Sequence, residues 1–320
     1  YYLGTVERIS PEAPVPVVRL DSERLVLGGA ANVANNLVKL GAGVSLAGVV
    51  GDDPFGDELR SMLAEVGISP DGIVTQRGRM TTRKTRLIAH DQQVVRIDRE
   101  VTSPIEPWVE EGLWNYIRGA GKRCSLIIAS DYAKGVLTET LLKKLIGLAL
   151  KEGKILLVDP KGRDFLKYKG STIINPNLRE LEDNTGISLT CERCRSWWKE
   201  NSTLENAPCN CEGKIVQAAG LLLSSLDCQA VLVTRGRYGV SLCSRDGQVH
   251  HLRAQARTVY DVTGAGDTFA GALGYFLSLG ADYLSAAYLA NMAAGIVVER
   301  LGNATVTKEE IYHLLGGEVE

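Results

Sequence analysis

The chain has 320 residues, enough for one large α/β domain or two ordinary ones with a sizeable core in either case. Hydrophobic residues make up 45% and charged residues 23%, an ordinary globular balance, and a formal net charge of -2 gives no reason to expect nucleic acid or an anionic membrane as the main partner. No apolar run reaches the length that spans a bilayer; the richest, residues 141–158, is interrupted by lysines.

Taken in chain order, residues 15–20 read as an extended strand, 30–40 as a helix, 44–50 as a buried strand and 56–66 as a helix. Residues 82–97 alternate polar and apolar over two strands with a turn at 90–92. Helical patterns at 108–117, 138–151, 215–226, 265–279 and 283–298 then alternate with short apolar runs at 126–129, 155–158, 173–174 and 230–234. Runs of this kind are buried on both faces, so the pattern predicts an α/β fold: a doubly wound, mostly parallel sheet with helices on both sides. The two polar-alternating stretches, about 8–20 and 82–97, are expected to form a small antiparallel β lid. Such a lid suits a reaction from which water must be excluded.

The stretch Asp261-Val-Thr-Gly-Ala-Gly-Asp-Thr268 is a small-residue turn opening a helix. Gly264 and Gly266 remove side chains where backbone must approach a ligand, and the amides of Gly264, Ala265, Gly266 and Asp267 point out of a first helical turn that favours negative charge. That is a cradle for a phosphoryl group in transfer, and Asp267 is placed to take a proton from the attacking hydroxyl. A second glycine turn, Gly28-Gly29, enters a helix carrying Asn32 and Asn36, whose amides can bind sugar hydroxyls; tight helix–sheet packing would need the same glycines.

Polar loops follow the parallel strands, at the strand ends where open α/β sheets bind ligands. They hold Ser130-Asp-Tyr-Ala-Lys-Gly135, Asp159-Pro-Lys-Gly162, Asn175-Pro-Asn-Leu-Arg-Glu180 and Val233-Thr-Arg-Gly236. Lys134 and Lys161 can each neutralise a phosphate or stand as solvated loop lysines. Asn177 and Glu180, three apart, share one side of a starting helix; they can hold hydrated Mg²⁺, or serve only as a capping pair. Thr234 and Gly236 form a potential nucleotide-facing turn, and Asn291 opens a small-residue stretch that can lie against adenine or against another helix.

Of seven cysteines, Cys124, Cys228 and Cys243 read as small buried hydrophobes, and the chain shows no secreted disulfide framework, which favours a reducing cytoplasm. The other four, Cys191, Cys194, Cys209 and Cys211, are spaced C-x2-C and C-x-C, a pattern able to hold a structural Zn²⁺ or to stand as free thiols on a solvated insert.

These segments, in this order, resemble the ribokinase-like (PfkB) carbohydrate kinase family over nearly the whole chain. The specific parts are Arg8-Ile-Ser-Pro-Glu-Ala-Pro-Val-Pro-Val-Val18, Ser130 to Gly135, Asp159 to Gly162 and Val259 to Thr268, and within the family they are most similar to its kinases of heptose 7-phosphate. The resemblance implies a single kinase domain using ATP and Mg²⁺ on a small sugar phosphate. Asp267 would be the catalytic base, and Asn177, Leu178, Arg179 and Glu180 would lie at the nucleotide–metal site with Thr234, Gly236 and Asn291. Gly28, Gly29, Asn32, Lys134 and Lys161 would lie at the acceptor, and a homodimer through the lid strands is expected. Arg8, Lys84, Arg86, Arg96, Lys134 and Lys161 are the candidates for gripping the 7-phosphate.

Three departures stand out. Family members begin with a strand ending in Gly-Asp, and the sequence given starts just after it; it holds no nucleotidyltransferase half such as many heptose kinases carry, as expected of either a monofunctional form or a fragment; and residues 190–212 look like an insertion. The acceptor alternatives are fructose 1-phosphate, ribose or another sugar. A non-catalytic sugar-phosphate sensor is the reading of another class, against which an intact Asp267 argues.

Overall fold

The computed structural model describes residues 1–90, 92–189, 211–256 and 258–316. The first strand, β1 (Tyr2–Ile9), turns through a proline-rich bend into β2 (Pro16–Glu23), so the extended stretch expected near 15–20 is the second arm of a hairpin. Helix α1 (Ala30–Lys39) follows the Gly28-Gly29 turn, and β3 (Gly48–Gly51) occupies only the end of the expected 44–50 strand. Helix α2 (Pro54–Glu65) starts where Asp53 accepts from the Gly56 amide at 3.1 Å with proline in the first turn. Strand β4 (Ile73–Gln76) pairs in parallel with β3.

Strands β5 (Arg83–Ala89) and β6 (Gln92–Arg99) form a second hairpin, and the two hairpins join in the order β2-β1-β5-β6. Both hairpins are antiparallel but β1 runs parallel to β5, so the lid sheet is mixed at its seam. Every residue of β6 is exposed, as its polar alternation leads one to expect of an edge strand.

Helix α3 (Pro107–Gly121) leads into β7 (Leu126–Ser130), α4 (Glu139–Lys151), β8 (Ile155–Asp159), β9 (Ile173–Ile174), α5 (Leu178–Thr185), α6 (Cys211–Leu226) and β10 (Ala230–Thr234). Strands β7 to β10 are parallel neighbours; β11 (Val240–Ser244) and β12 (Val249–Leu252) extend the sheet as an antiparallel meander not foreseen from the apolar runs. Alternate residues of β8 serve opposite faces. Leu156 and Val158 pack with Leu142, Leu181 and Leu222, while Leu157 packs with Phe269, Leu273 and Ala290.

The second face is covered by α7 (Ala265–Ser278), α8 (Tyr283–Val297) and α9 (Lys308–Leu314). Helix α1 lies against α7, and Gly271 permits it: a Cβ there would stand 3.2 Å from the Val33 carbonyl oxygen. This close approach carries the first glycine turn to the second. No helix among the described residues is long and apolar enough to cross a membrane.

Candidate active site

Gly264 precedes α7 at φ 80°, a conformation that favours glycine, and a Cβ there would meet the Asn32 Nδ2 at 3.0 Å and the Asn303 Oδ1 at 3.1 Å. The Ala265 amide donates to the Val262 carbonyl at 3.3 Å. Among the described residues the amides of Gly264, Gly266 and Asp267 have no protein acceptor, so the cradle expected of four amides has three. A Cβ at Gly266 would touch nothing within 4 Å, so its glycine is explained by neither packing nor φ.

Asp267 is held at both oxygens. The Asn32 Nδ2 donates to Oδ2 at 2.8 Å, and the Tyr132 hydroxyl donates to Oδ1 at 2.6 Å. Asn32 is wholly buried, and its carbonyl accepts from the Asn36 amide at 2.9 Å; the Thr268 hydroxyl donates in turn to Asn36 Oδ1 at 3.1 Å. Asn32 thus holds one oxygen of the carboxylate from the helix after the first glycine turn. Burial raises the Asp267 carboxyl above the ordinary range, against the opposing hydrogen bonds of Tyr132 and Asn32. A raised carboxyl is the better base near neutral pH. Burial and the Asp267 charge also push the Tyr132 hydroxyl up, keeping it a donor.

Gly29 stands at φ 57° with the Tyr132 ring about its missing Cβ, the nearest atom at 3.5 Å. Asn303, absent from the sequence reading, donates to the Leu27 carbonyl at 3.0 Å, before the Gly28-Gly29 turn, and packs beside Gly264. At the end of β8, burial and the charges of Asp267 and Glu180 raise the Asp159 carboxyl well above its usual range. Asp159, Asp131 and Tyr132 lie in the loops that the sequence places at the ligand-binding strand ends, but their contacts to one another and to Asp267 are not readable from those motifs.

On the neighbouring strand ends Asn177 and Glu180 form a capping box: Asn177 Oδ1 accepts from the Glu180 amide and Glu180 Oε2 from the Asn177 amide, each at 2.9 Å. Glu180 Oε1 also accepts from Lys161 Nζ at 2.7 Å. Leu178 packs into the core, and Arg179 is exposed. Asn177 bridges to Thr234, whose amide donates to the Pro176 carbonyl at 2.9 Å, so the two turns lie together; Gly236 follows at φ 58°. Asn291 is buried and donates to the Arg253 carbonyl at 2.5 Å.

Several of the candidate phosphate-gripping cations are already paired. Lys134 pairs with Glu100 at 2.5 Å, Lys84 with Asp98 at 3.1 Å and Arg96 with Asp98 at 3.1 Å. Only Arg8 and Arg86 of the six candidate phosphate grips lack a described carboxylate within salt-bridge distance; Arg86 lies 5.5 Å from the Tyr1 ring centroid. The other four already have carboxylate partners. Of the clustered cysteines, Cys191, Cys194 and Cys209 lie outside the described residues; Cys211 is buried at the start of α6, and among the described residues no group of three or more His, Cys, Asp or Glu side chains could hold a metal ion.

A carboxylate held by two donors beside unpaired helix amides, on a doubly wound α/β sheet, is the arrangement of a ribokinase-like phosphotransferase with an alcohol group as acceptor. Solved structures share the fold. Ribokinase from Thermotoga maritima superposes with a TM-score of 0.69 at 20% identity, over 99% of this chain and 96% of that one. Phosphofructokinase-2 from Escherichia coli in complex with potassium gives 0.72 at 18% identity over 98% and 94%, and Arabidopsis thaliana ribokinase complexed with ribose and ATP gives 0.70 at 19% over 99% and 95%. The family model described as pfkB family carbohydrate kinase matches residues 2–310, and the chain belongs to that family. Among curated relatives, proteins named Bifunctional protein HldE are 43% identical in Desulfatibacillum aliphaticivorans over 97% of this chain, and 43% in Geobacter sulfurreducens over 99%. The chain spans 60% of the length of each.

Proposed function

We propose that the chain transfers the γ-phosphoryl group of ATP to the anomeric hydroxyl of D-glycero-β-D-manno-heptose 7-phosphate, giving the 1,7-bisphosphate, in the cytoplasmic route to ADP-heptose and the lipopolysaccharide core. The observation that carries the chemistry is Asp267 at the start of α7, gripped by Asn32 and Tyr132 beside the unpaired amides of Gly264, Gly266 and Asp267. In this reading Asp267 accepts the proton of the attacking hydroxyl while the amides stabilise charge on the transferred group. The acceptor lies by Gly28, Gly29 and Tyr132, and ATP by Asn177, Glu180, Thr234, Gly236 and Asn291.

Glu180 and Asn177 supply a carboxylate and an amide oxygen, a donor set suited to a hydrated Mg²⁺, and their capping bonds leave lone pairs on those oxygens. Bound there, the ion would neutralise phosphate charge; Lys161, on Glu180 Oε1, adds a cation at the same strand ends. The heptose assignment is supported by Arg8 to Val18 and Ser130 to Gly135, and by relatives that are bifunctional by name and longer than this chain. The exposed apolar side chains Ile9, Leu20, Val95 and Ile97 on the lid strands support a homodimer through that sheet. A structural zinc on Cys191, Cys194, Cys209 and Cys211 is a separate element, decided by metal content per chain after purification without chelator.

A second reading, with a neutral sugar as acceptor, draws on the ion pairs that already occupy Lys84, Arg96, Lys134 and Lys161. Phosphorus NMR of the product separates the two. One new resonance from an anomeric phosphate beside the retained 7-phosphate is expected, and consumption of ATP without it would overturn the heptose reading.

A further inference from the structure

Asp131, just after β7, is a buried carboxylate devoted to one turn. Its Oδ1 accepts from the Ala133 amide at 2.7 Å, and Ala133 stands at φ 53°, a left-handed conformation that alanine rarely adopts. Its Oδ2 accepts from the Tyr168 hydroxyl at 2.6 Å and from Lys167 Nζ at 2.7 Å. The residue whose direction this clamp fixes is Tyr132, between Asp131 and Ala133, and Tyr132 reaches Asp267.

We propose that Tyr132 is a positioning residue for the base, its hydroxyl fixing both the orientation and the proton affinity of Asp267, and that the Lys167–Asp131–Tyr168 cluster positions Tyr132 in turn. The proposal rests on Asp267 being the base in the reading above. With Tyr132 on one oxygen and Asn32 on the other, the carboxylate plane is set and its remaining lone pairs point in fixed directions. Both donors stabilise the ionised form, so losing the Tyr132 hydroxyl must make Asp267 harder to deprotonate. The groups facing the pair are few. Asn32 on α1 is neutral; the charge of Asp267 bears on Asp159 at the end of β8, together with those of Glu180, Lys161 and Asp131, and Asp159 bears in turn on Tyr132.

The test is Tyr132→Phe in the full chain, with aspartate carboxyl carbons labelled with ¹³C and the Asp267 signal assigned by its loss in Asp267→Asn. The Asp267 midpoint should rise by about one pH unit, the order of one hydrogen bond to a charged group. The acidic limb of the kcat/KM profile should rise with it while KM for ATP stays unchanged. Tyr168→Phe should move the midpoint the same way by less. A purely structural Tyr132 would lower thermal stability and leave the midpoint in place, and that result overturns the proposal; an unmoved midpoint in Tyr168→Phe overturns the clamp. The titration needs no turnover, so it reads the Tyr132–Asp267 relation separately from the kinase reading, whose own failure would appear as no ATP-dependent phosphorylation by the wild type.

Discussion

The Asn32 side chain donates to the Asp267 carboxylate at 2.8 Å across 235 positions of sequence, joining the two glycine turns in one hydrogen-bonded unit. The bond exists because α1 and α7 approach closely at Gly271, and because Asn36 and Thr268 continue the network beneath it. Asn32→Ala removes a hydrogen bond to a charged group, worth about 1.5–3 kcal/mol. Turnover should fall by about 10- to 100-fold with ATP affinity nearly unchanged, read from kcat and from nucleotide titration; an unchanged kcat would mean that Asp267 is oriented without it.

Asp267→Asn keeps the shape and the Tyr132 contact but cannot accept the proton. A positioned base contributes about 10²–10⁴-fold, so kcat should fall by that factor while nucleotide still binds. If more than about a tenth of the wild-type turnover survives, another residue is the base.

Asp159→Asn should stabilise the protein at alkaline pH. An aspartate whose folded pKa lies above its unfolded value, about 3.9, holds extra protons in the native state between the two values. Stability therefore falls as pH rises from the unfolded to the folded pKa, and the loss is complete above the latter. Burial with Asp267 and Glu180 nearby puts Asp159 in this class. The variant and wild type should melt together near pH 4 and diverge toward pH 8, the variant higher; a pH-independent difference in Tm contradicts the account.

Glu180→Gln keeps a side-chain oxygen able to cap α5 but removes the charge that Lys161 meets at 2.7 Å. The magnesium concentration for half-maximal rate should rise by about tenfold, following loss of one charge-assisted contact. An unaltered magnesium dependence places the metal away from Glu180.

Much of this was legible in the chain itself, for physical reasons. Strands β8 and β10 are apolar up to their last residues, Asp159 and Thr234, because both faces are covered, and Gly264-Ala-Gly-Asp267 declares its helix start through residues with little bulk. Asn177 and Glu180 carry the spacing of a capping box, one of the two readings that spacing allows. Other features depend on contacts between segments distant in sequence. Nothing near Tyr132 signals a bond to a residue 135 positions away, nor does Asp131 signal the partners Lys167 and Tyr168. The Lys84–Asp98 ion pair of the lid arises from the register of β5 against β6, which sets the two residues opposite each other. Composition alone counts the cations without their partners.

Substrate choice is the most direct test of the central claim. The lid pairs of Lys84, Arg96 and Lys134 must open, or Arg8 and Arg86 must suffice, for a distal phosphate to be held by charge-assisted bonds. The measurement is kcat/KM for heptose 7-phosphate, free heptose, fructose 1-phosphate, fructose 6-phosphate and ribose under one set of conditions. The account predicts that heptose 7-phosphate exceeds every other acceptor by orders of magnitude, free heptose included; equal or better use of fructose 1-phosphate, fructose 6-phosphate or ribose would contradict it.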